Sequence, residues 1–529
     1  MSQPFPFDFK ATRADPNWQE TVFWPVSQER RFAAAKQSYT QYLEFLEQWP
    51  NDDERAVLTL AAVGPASIAR ILIEALLALE AEDAGQGHII SSNPVIDDLR
   101  SAEPNAPLPN NDLSASLKPM ATPRHTWLRR IARMASWTPL LKLPMALAAP
   151  QVTAINHNPM LISEAAKSGL RIEYRHAESF LAMARSHKAA PAISDVRRAE
   201  IAEALLDSLM AIDGIQVRRR ERAKSHLRPQ LLGLMKQADV DMQGFRYVKQ
   251  IPENLWAGTG GYYPSRAAGL EVCRRGGTVT RFEHGFGTGL IAEHAALITC
   301  DLSVCDRYVS YTPQSADSLR NDPALNIIPS SRRPEIFGGN GDPHVSIKHK
   351  STKKIGRLKV LYGSTILTGF RQFYPPVIPD PIYLDWQFRL VKMLQTLPID
   401  LIFRPHPEGL LRGQRHPVAD LVTPSPVPYE QSIDEADILL FDRADSTTMS
   451  TAMCSDLPIV LIGWDNPPFN DLGQRLLTER CKIIRATFDD RNRPTINPQE
   501  LEESLLAPVG HFDPEPFRQF LLQAKQDEY

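Results

Sequence analysis

Two apolar runs that end in anion-binding residue types constrain this chain more than any other feature. The first is LIFRPHPEG at 401–409, where Leu401, Ile402 and Phe403 lead into Arg404 and His406. The second is ADILLFDRADSTTMSTAMCSDLPIVLI at 436–462, where Ile438 to Phe441 lead towards Ser446, Thr447 and Thr448 at an expected helix start. Each run reads as a strand of a parallel sheet. Such sheets bind ligands beyond their carboxyl ends, and a helix start offers unpaired N–H groups and a positive dipole end to an anion. A nucleotide phosphate is the expected guest.

Strand and helix patterns alternate through the rest of the chain. Strand-helix units are expected in 151–176, 254–285 and 305–320, and a further strand is expected at 87–94. Residues 57–82 read as a strand or buried turn leading into an amphipathic helix. Downstream, a strand at 358–363, a helix at about 383–396 and a last strand at 481–485 complete the pattern. This grammar predicts an α/β chain with doubly wound parallel sheets. The polar, basic stretch at 340–355 divides it into a domain at 1–345, with extra helices, and a second at 346–529. A length of 529 residues with 43% hydrophobic side chains suffices for both cores.

Charge and cysteine usage narrow the function classes. With 59 Lys and Arg against 62 Asp and Glu, the net charge of −3 gives no global attraction to nucleic acid. The five cysteines, Cys273, Cys300, Cys305, Cys454 and Cys481, are scattered, which suits reduced, buried thiols in a cytoplasmic protein. The opening MSQPFPFDFKATRADPNW has no basic start followed by an apolar core, so no signal peptide is expected. No run reaches the eighteen or so apolar residues needed to span a bilayer.

Four motifs follow in order: a glycine loop at 258–266, a Gly-Gly-Thr-Val strand ending in Glu283-His284-Gly285, the Arg-Pro-His-Pro strand end, and the Asp-Ser-Thr-Thr helix start before Leu457-Pro458-Ile459-Val460. This series, over roughly residues 254–485, resembles bacterial surface-polysaccharide transferases of the GT-B fold. The pattern is most similar to the Kdo transferases of capsule and lipopolysaccharide assembly, with teichoic-acid glycerophosphotransferases close behind. The resemblance implies two Rossmann-like domains around a central cleft. It also implies a His-Pro element and a Ser/Thr pair that hold the phosphates of a cytidine nucleotide. The expected function is therefore transfer of Kdo or a related ulosonic acid from CMP to a glycan or lipid-linked acceptor. A CDP-polyol phosphotransferase and a non-catalytic binding protein of polysaccharide assembly are the alternatives.

Arg404, His406 and the 446–448 hydroxyls would stabilise the leaving phosphate. Glu283 is the first expectation for the base that takes the acceptor proton, and His284 the second. Gly258, Gly260 and Gly261 allow close backbone approach to a ligand, although a tight turn also explains them. Asp239-Val240-Asp241 resembles a metal-binding Asp-x-Asp, but it follows helical rather than strand sequence, so neither metal nor cofactor is expected. The acid-free segment 116–150 interleaves Lys118, Arg124, Arg129, Arg130, Arg133 and Lys142 with Trp127 and Trp137. It is expected either to pack on the domain or to touch an anionic membrane or glycan, which would place the protein at the inner face of the cell membrane.

Overall fold

The computed structural model describes residues 3–101, 151–285, 287–292, 294–343, 345, 347, 356–369, 378–444, 446–464, 469–506 and 513–522. Strands β1 (Pro4–Pro6) and β2 (His88–Ile90) form a separate two-stranded parallel sheet. Strands β3 (Gln151–Ala154), β4 (Arg171–Tyr174), β5 (Asn254–Ala257), β6 (Thr278–Phe282), β7 (Arg307–Ser310) and β8 (Glu335–Gly338) form a first sheet. It is parallel throughout, in the order β4-β3-β5-β6-β7-β8.

The second sheet contains β9 (Leu358–Gly363), β10 (Ile399–Arg404), β11 (Ile438–Phe441), β12 (Ile459–Gly463) and β13 (Lys482–Arg485). It is also parallel throughout, in the order β10-β9-β11-β12-β13. In both sheets the chain starts inside, steps to one edge and then reverses, so each has a switch point between its first and third strands. The architecture is mixed α/β and compatible with two Rossmann-like domains.

The strands form where apolar residues are enclosed on both faces. All four residues of β11 and the first four of β12 are buried, as a sheet covered by helices on both sides requires. Helices Tyr263–Arg274 and Asp380–Gln395 are two of the crossovers that return the chain to start a parallel strand. A further group, Gln28–Glu47, Asp52–Ala61, Val63–Asp83, Asp195–Met210 and Val217–Phe245, packs helix on helix beside the first sheet.

That group corrects one expectation. Residues 57–82 contain no strand; they lie in Asp52–Ala61 and Val63–Asp83. Val57, Leu58, Leu60, Leu72, Ile73, Leu76, Leu77 and Leu79 are all buried. A helix surrounded by other helices loses the one-sided apolar stripe that marks a helix at the surface.

The chain passes from the first sheet to the second between Gly338 and Leu358, and both of its ends cross back. Near the start, Trp24 N–H donates to Arg491 O at 3.0 Å and Asn492 Nδ2 donates to Trp24 O at 2.8 Å. Trp18 meets Phe388 edge-on at 5.7 Å. Near the end, the helix Glu515–Leu522 lies on the helix Pro313–Arg320, with Thr312 Oγ1 donating to Phe520 O at 2.7 Å. An apolar cluster continues across the junction, from Leu161, Phe282 and Leu290 to Leu439, Leu461 and Phe520. Among the described residues no helix is long and apolar enough to cross a membrane.

Candidate functional site

Connections that leave the carboxyl edges of the two sheets meet. The connection leaving β6 reaches the connection that leaves β12, where Ile291 bridges to Phe469 and Asn470 N–H donates to Leu290 O at 2.8 Å. Asn470 Nδ2 adds a bond to Gly289 O at 2.9 Å. Gly473 has no room for a side chain, because a Cβ there would lie 2.4 Å from the Leu290 carbonyl oxygen. Ligands of doubly wound sheets bind beyond these strand ends, so the two carboxyl edges are the candidate site.

On the second edge, Arg404 of β10 and Phe441 of β11 both stand opposite Gly363 of β9. Their backbones are therefore two strand spacings apart, roughly 10 Å. Arg404 is half-buried and donates from Nη1 to Ser425 O at 3.0 Å. His406 is also half-buried; its Nδ1 accepts from Glu408 N–H at 3.1 Å, and burial holds its pKa below the usual histidine value. The neutral ring then carries its proton on Nε2 as a donor.

Ser446 precedes the helix Thr447–Met453, but its hydroxyl does not cap it and instead pairs with Thr448 Oγ1 at 2.9 Å. Thr447 is exposed. The structure thus puts Arg404, His406 and the three hydroxyl residues at one sheet edge, on separate connections.

On the first edge, Glu283 follows the last residue of β6 and is 3% exposed. Its Oε2 accepts from Tyr308 OH at 2.6 Å, and its Oε1 accepts long bonds of 3.3 Å from the N–H groups of His284 and Gly285. Burial raises its pKa above the ordinary carboxyl value, against the lowering effect of the Tyr308 hydroxyl. The residue expected first as a base is thus enclosed, and it fixes the turn that carries the next one. The His284 side chain is 42% exposed, with Nδ1 3.9 Å from Asp301 Oδ2.

Asp301 also connects His284 to the glycine loop. Its Oδ1 accepts from Gly260 N–H at 2.7 Å, while Gly261 N–H donates to Thr259 Oγ1 at 3.0 Å. Buried Arg266 and Arg281 bind the Gly260 and Thr259 carbonyls at 2.8 Å. A Cβ at Gly260 would lie 2.2 Å from Cys300 O, and one at Gly258 would press on Asn158. Close packing explains these glycines, and the amides of Gly260 and Gly261 are already bonded within the fold.

A cavity of about 450 Å³ opens at the switch point of the second sheet. Thr365 and Ile366 beyond β9 line it, as do Asp442 and Arg443 beyond β11. The opposing wall is the start of the helix Gln28–Glu47, with Ser27, Gln28, Glu29 and Phe32. That helix brings its positive dipole end to the cavity. Asp442 is 1% exposed, and its Oδ2 accepts from Tyr362 OH at 2.6 Å, Tyr383 OH at 2.9 Å and Trp386 Nε1 at 3.2 Å. Burial pushes its pKa up to about 6 despite those three donors.

Sequence reasoning missed Asp442. Its signal is an acid placed directly after four enclosed apolar residues, at the carboxyl end of a strand. The lining of this cavity includes none of Arg404, His406, Ser446, Thr447 or Thr448.

The remaining expectations meet plain outcomes. Asp239 and Asp241 lie inside the helix Val217–Phe245, not at its end, and both are fully buried. Asp241 accepts two bonds from Arg185 at 2.8 Å and one from Tyr263 OH at 2.8 Å; Asp239 accepts from Ile193 N–H at 2.7 Å. These carboxylates hold helices together. Among the described residues no group of three or more His, Cys, Asp or Glu side chains is placed to hold a metal. All five cysteines are free, but Cys273 and Cys300 are only partly buried, which corrects the expectation of five enclosed thiols. Segment 116–150 lies outside the described residues.

No family model matches the chain, and no curated protein matches it in sequence.

Proposed function

We propose that the protein is a glycosyltransferase of GT-B architecture that moves a sugar, in the first place Kdo or a related ulosonic acid, from its CMP donor to a hydroxyl of a bacterial surface glycan. The observation that carries this reading is the pair of carboxyl edges whose connections meet. One presents a solvent-accessible imidazole, and the other gathers Arg404, His406 and the 446–448 hydroxyls.

In the proposed reaction, the acceptor oxygen bonds to the anomeric carbon as the bond from that carbon to the CMP phosphate oxygen breaks. CMP leaves with the electron pair. Arg404 and the Nε2 donor of His406 would meet the charge that develops on the phosphate, which is the main electrostatic demand of such a step. The acceptor proton would pass to His284, the accessible member of the 283–284 pair. Glu283 would act as a positioning residue by holding the turn.

A donor screen tests the reading. CMP-Kdo, CMP-sialate, CDP-glycerol and UDP-sugars are offered in turn while thermal stability and nucleotide release are followed. A ligand at a hundred times its dissociation constant stabilises a protein by about 2.7 kcal/mol. The expected result is stabilisation and CMP release with a CMP-linked ulosonic acid, persisting in EDTA. Response to CDP-glycerol alone would redirect the assignment to polyol phosphate transfer. Turnover with no donor would reject a transferase.

A further inference from the structure

We propose that the cavity beyond β9 and β11 seats a nucleobase bearing an exocyclic amino group, cytosine foremost, and that Asp442 is the residue that selects it. The inference rests on the nucleotide-dependent reading above and adds to it a location and a specificity that neither the strand ends nor the helix start supplies.

The walls of the cavity suit a flat ring. Phe32 from the first helical group faces Tyr383, Trp464 and Phe488 from the second sheet's side. Trp464 is itself held in place: it crosses Trp386 edge-on at 5.3 Å, lies 6.3 Å from Phe488, and donates from Nε1 to the Asp442 carbonyl. Aromatic faces stack on any base and do not distinguish one base from another. The volume lies in the usual range of small-molecule pockets, about 300–1,000 Å³.

Selection requires a directional polar group, and Asp442 provides one. Three donors converge on its Oδ2, whereas Oδ1 is buried and has no hydrogen-bond partner among the described residues. An ionised carboxylate oxygen can only accept, and leaving it unpaired in a low-dielectric site is costly. A ligand that brings an N–H to Oδ1 removes that cost. Cytosine offers its amino group at the position where uracil offers a carbonyl oxygen, which the carboxylate would repel. Ser446 follows Asp442 by four positions in sequence, and the proposed base would put its phosphate towards that hydroxyl cluster.

Isothermal titration of the full chain with CMP and UMP tests the proposal without any sugar or acceptor. The wild-type protein is expected to bind CMP at least tenfold more tightly than UMP, the scale of one hydrogen bond to a charged group. Asp442→Asn, which can donate to a carbonyl, should bring the two affinities to within about threefold of each other. Phe488→Ala, at a position 38% exposed, should weaken both nucleotides by about tenfold and leave their ratio unchanged. Equal binding of CMP and UMP by the wild-type protein overturns the proposal, and so does an unchanged ratio in folded Asp442→Asn. If Asp442→Asn fails to fold, the wild-type ratio and the Phe488→Ala series still decide. Selective CMP binding without turnover of any donor would reject the transferase and leave this inference standing. Turnover of a CMP-sugar by a protein whose base preference ignores Asp442 would do the reverse.

Discussion

Glu283 and Asp442 occupy matching positions in the two sheets. Each directly follows the last residue of a parallel strand, and each accepts a hydrogen bond of 2.6 Å from a tyrosine on the neighbouring strand, Tyr308 on β7 or Tyr362 on β9. Burial raises the pKa of both. They differ in what remains open. Both oxygens of Glu283 accept bonds, two of them from the backbone of its own turn. Asp442 collects three donors on one oxygen and leaves the other without a partner among the described residues. A buried acid whose oxygens are all engaged fixes backbone; an open oxygen calls for another explanation, here the ligand proposed above.

On the proposed function, the largest effect should come from separating the chemistry assigned to the first edge from the binding assigned to the second. His284→Ala is expected to lower kcat by about a hundredfold or more while donor affinity changes little, as for loss of a general base. Steady-state kinetics with a saturating acceptor would check this, and an unchanged kcat would remove His284 from the mechanism.

Next in size is the difference between the two acids in stability. Asp442→Ala leaves three buried donors without an acceptor and should cost roughly 3–5 kcal/mol, whereas Glu283→Ala strands the Tyr308 hydroxyl and should cost roughly 1–3 kcal/mol. Urea unfolding of both variants measures the contrast. Equal losses would break the comparison.

The smallest effect is in pH dependence. Asp442 and Asp380 are both raised to about 6 by burial, so the folded protein retains protons that the unfolded chain releases near a pKa of about 3.9. The stability linked to this protonation is fully present below about pH 4 and is lost as pH rises through about 6. Asp442→Asn does not titrate. Its stability relative to wild type should therefore improve by roughly 2–3 kcal/mol between pH 4 and 7, at about 1.4 kcal/mol per pKa unit. Parallel pH series of urea midpoints would reveal a flat difference if the side chain were not buried and ionising.

Local pattern made much of this molecule legible. The runs at 401–403 and 438–441 are strands, the helix starts after Ser446, and the alternation over 151–176, 254–285 and 305–320 matches the strands and helices found there. These elements are written in neighbouring residues, through apolar runs and turn chemistry. The cavity is not written that way. Phe32, Tyr383, Asp442 and Phe488 come from four distant stretches, and only the strand order and the crossing of the N-terminal segment bring them together. Glu283 shows the complementary limit. Its position at a strand end was readable, but its enclosure depends on Tyr308 in the next strand. The helical group misled for a different reason: Val57 to Leu60 are buried on every side, Thr59 included, because other helices surround them.

The crossing of both chain ends also bears on when the cavity beyond β9 and β11 comes into being during folding. The bond from Asn492 to Trp24 joins residues 468 apart, and that from Thr312 to Phe520 joins residues 208 apart. Closing loops of that span costs entropy that must be offset by structure already formed, so such contacts belong to the late events of folding. Each sheet can nucleate from its own strand-helix units, but the wall contributed by Ser27 to Phe32 reaches the second sheet only after the long closures are made. The cavity is then the last feature to be assembled, and any ligand it takes reports on the completed topology rather than on either half.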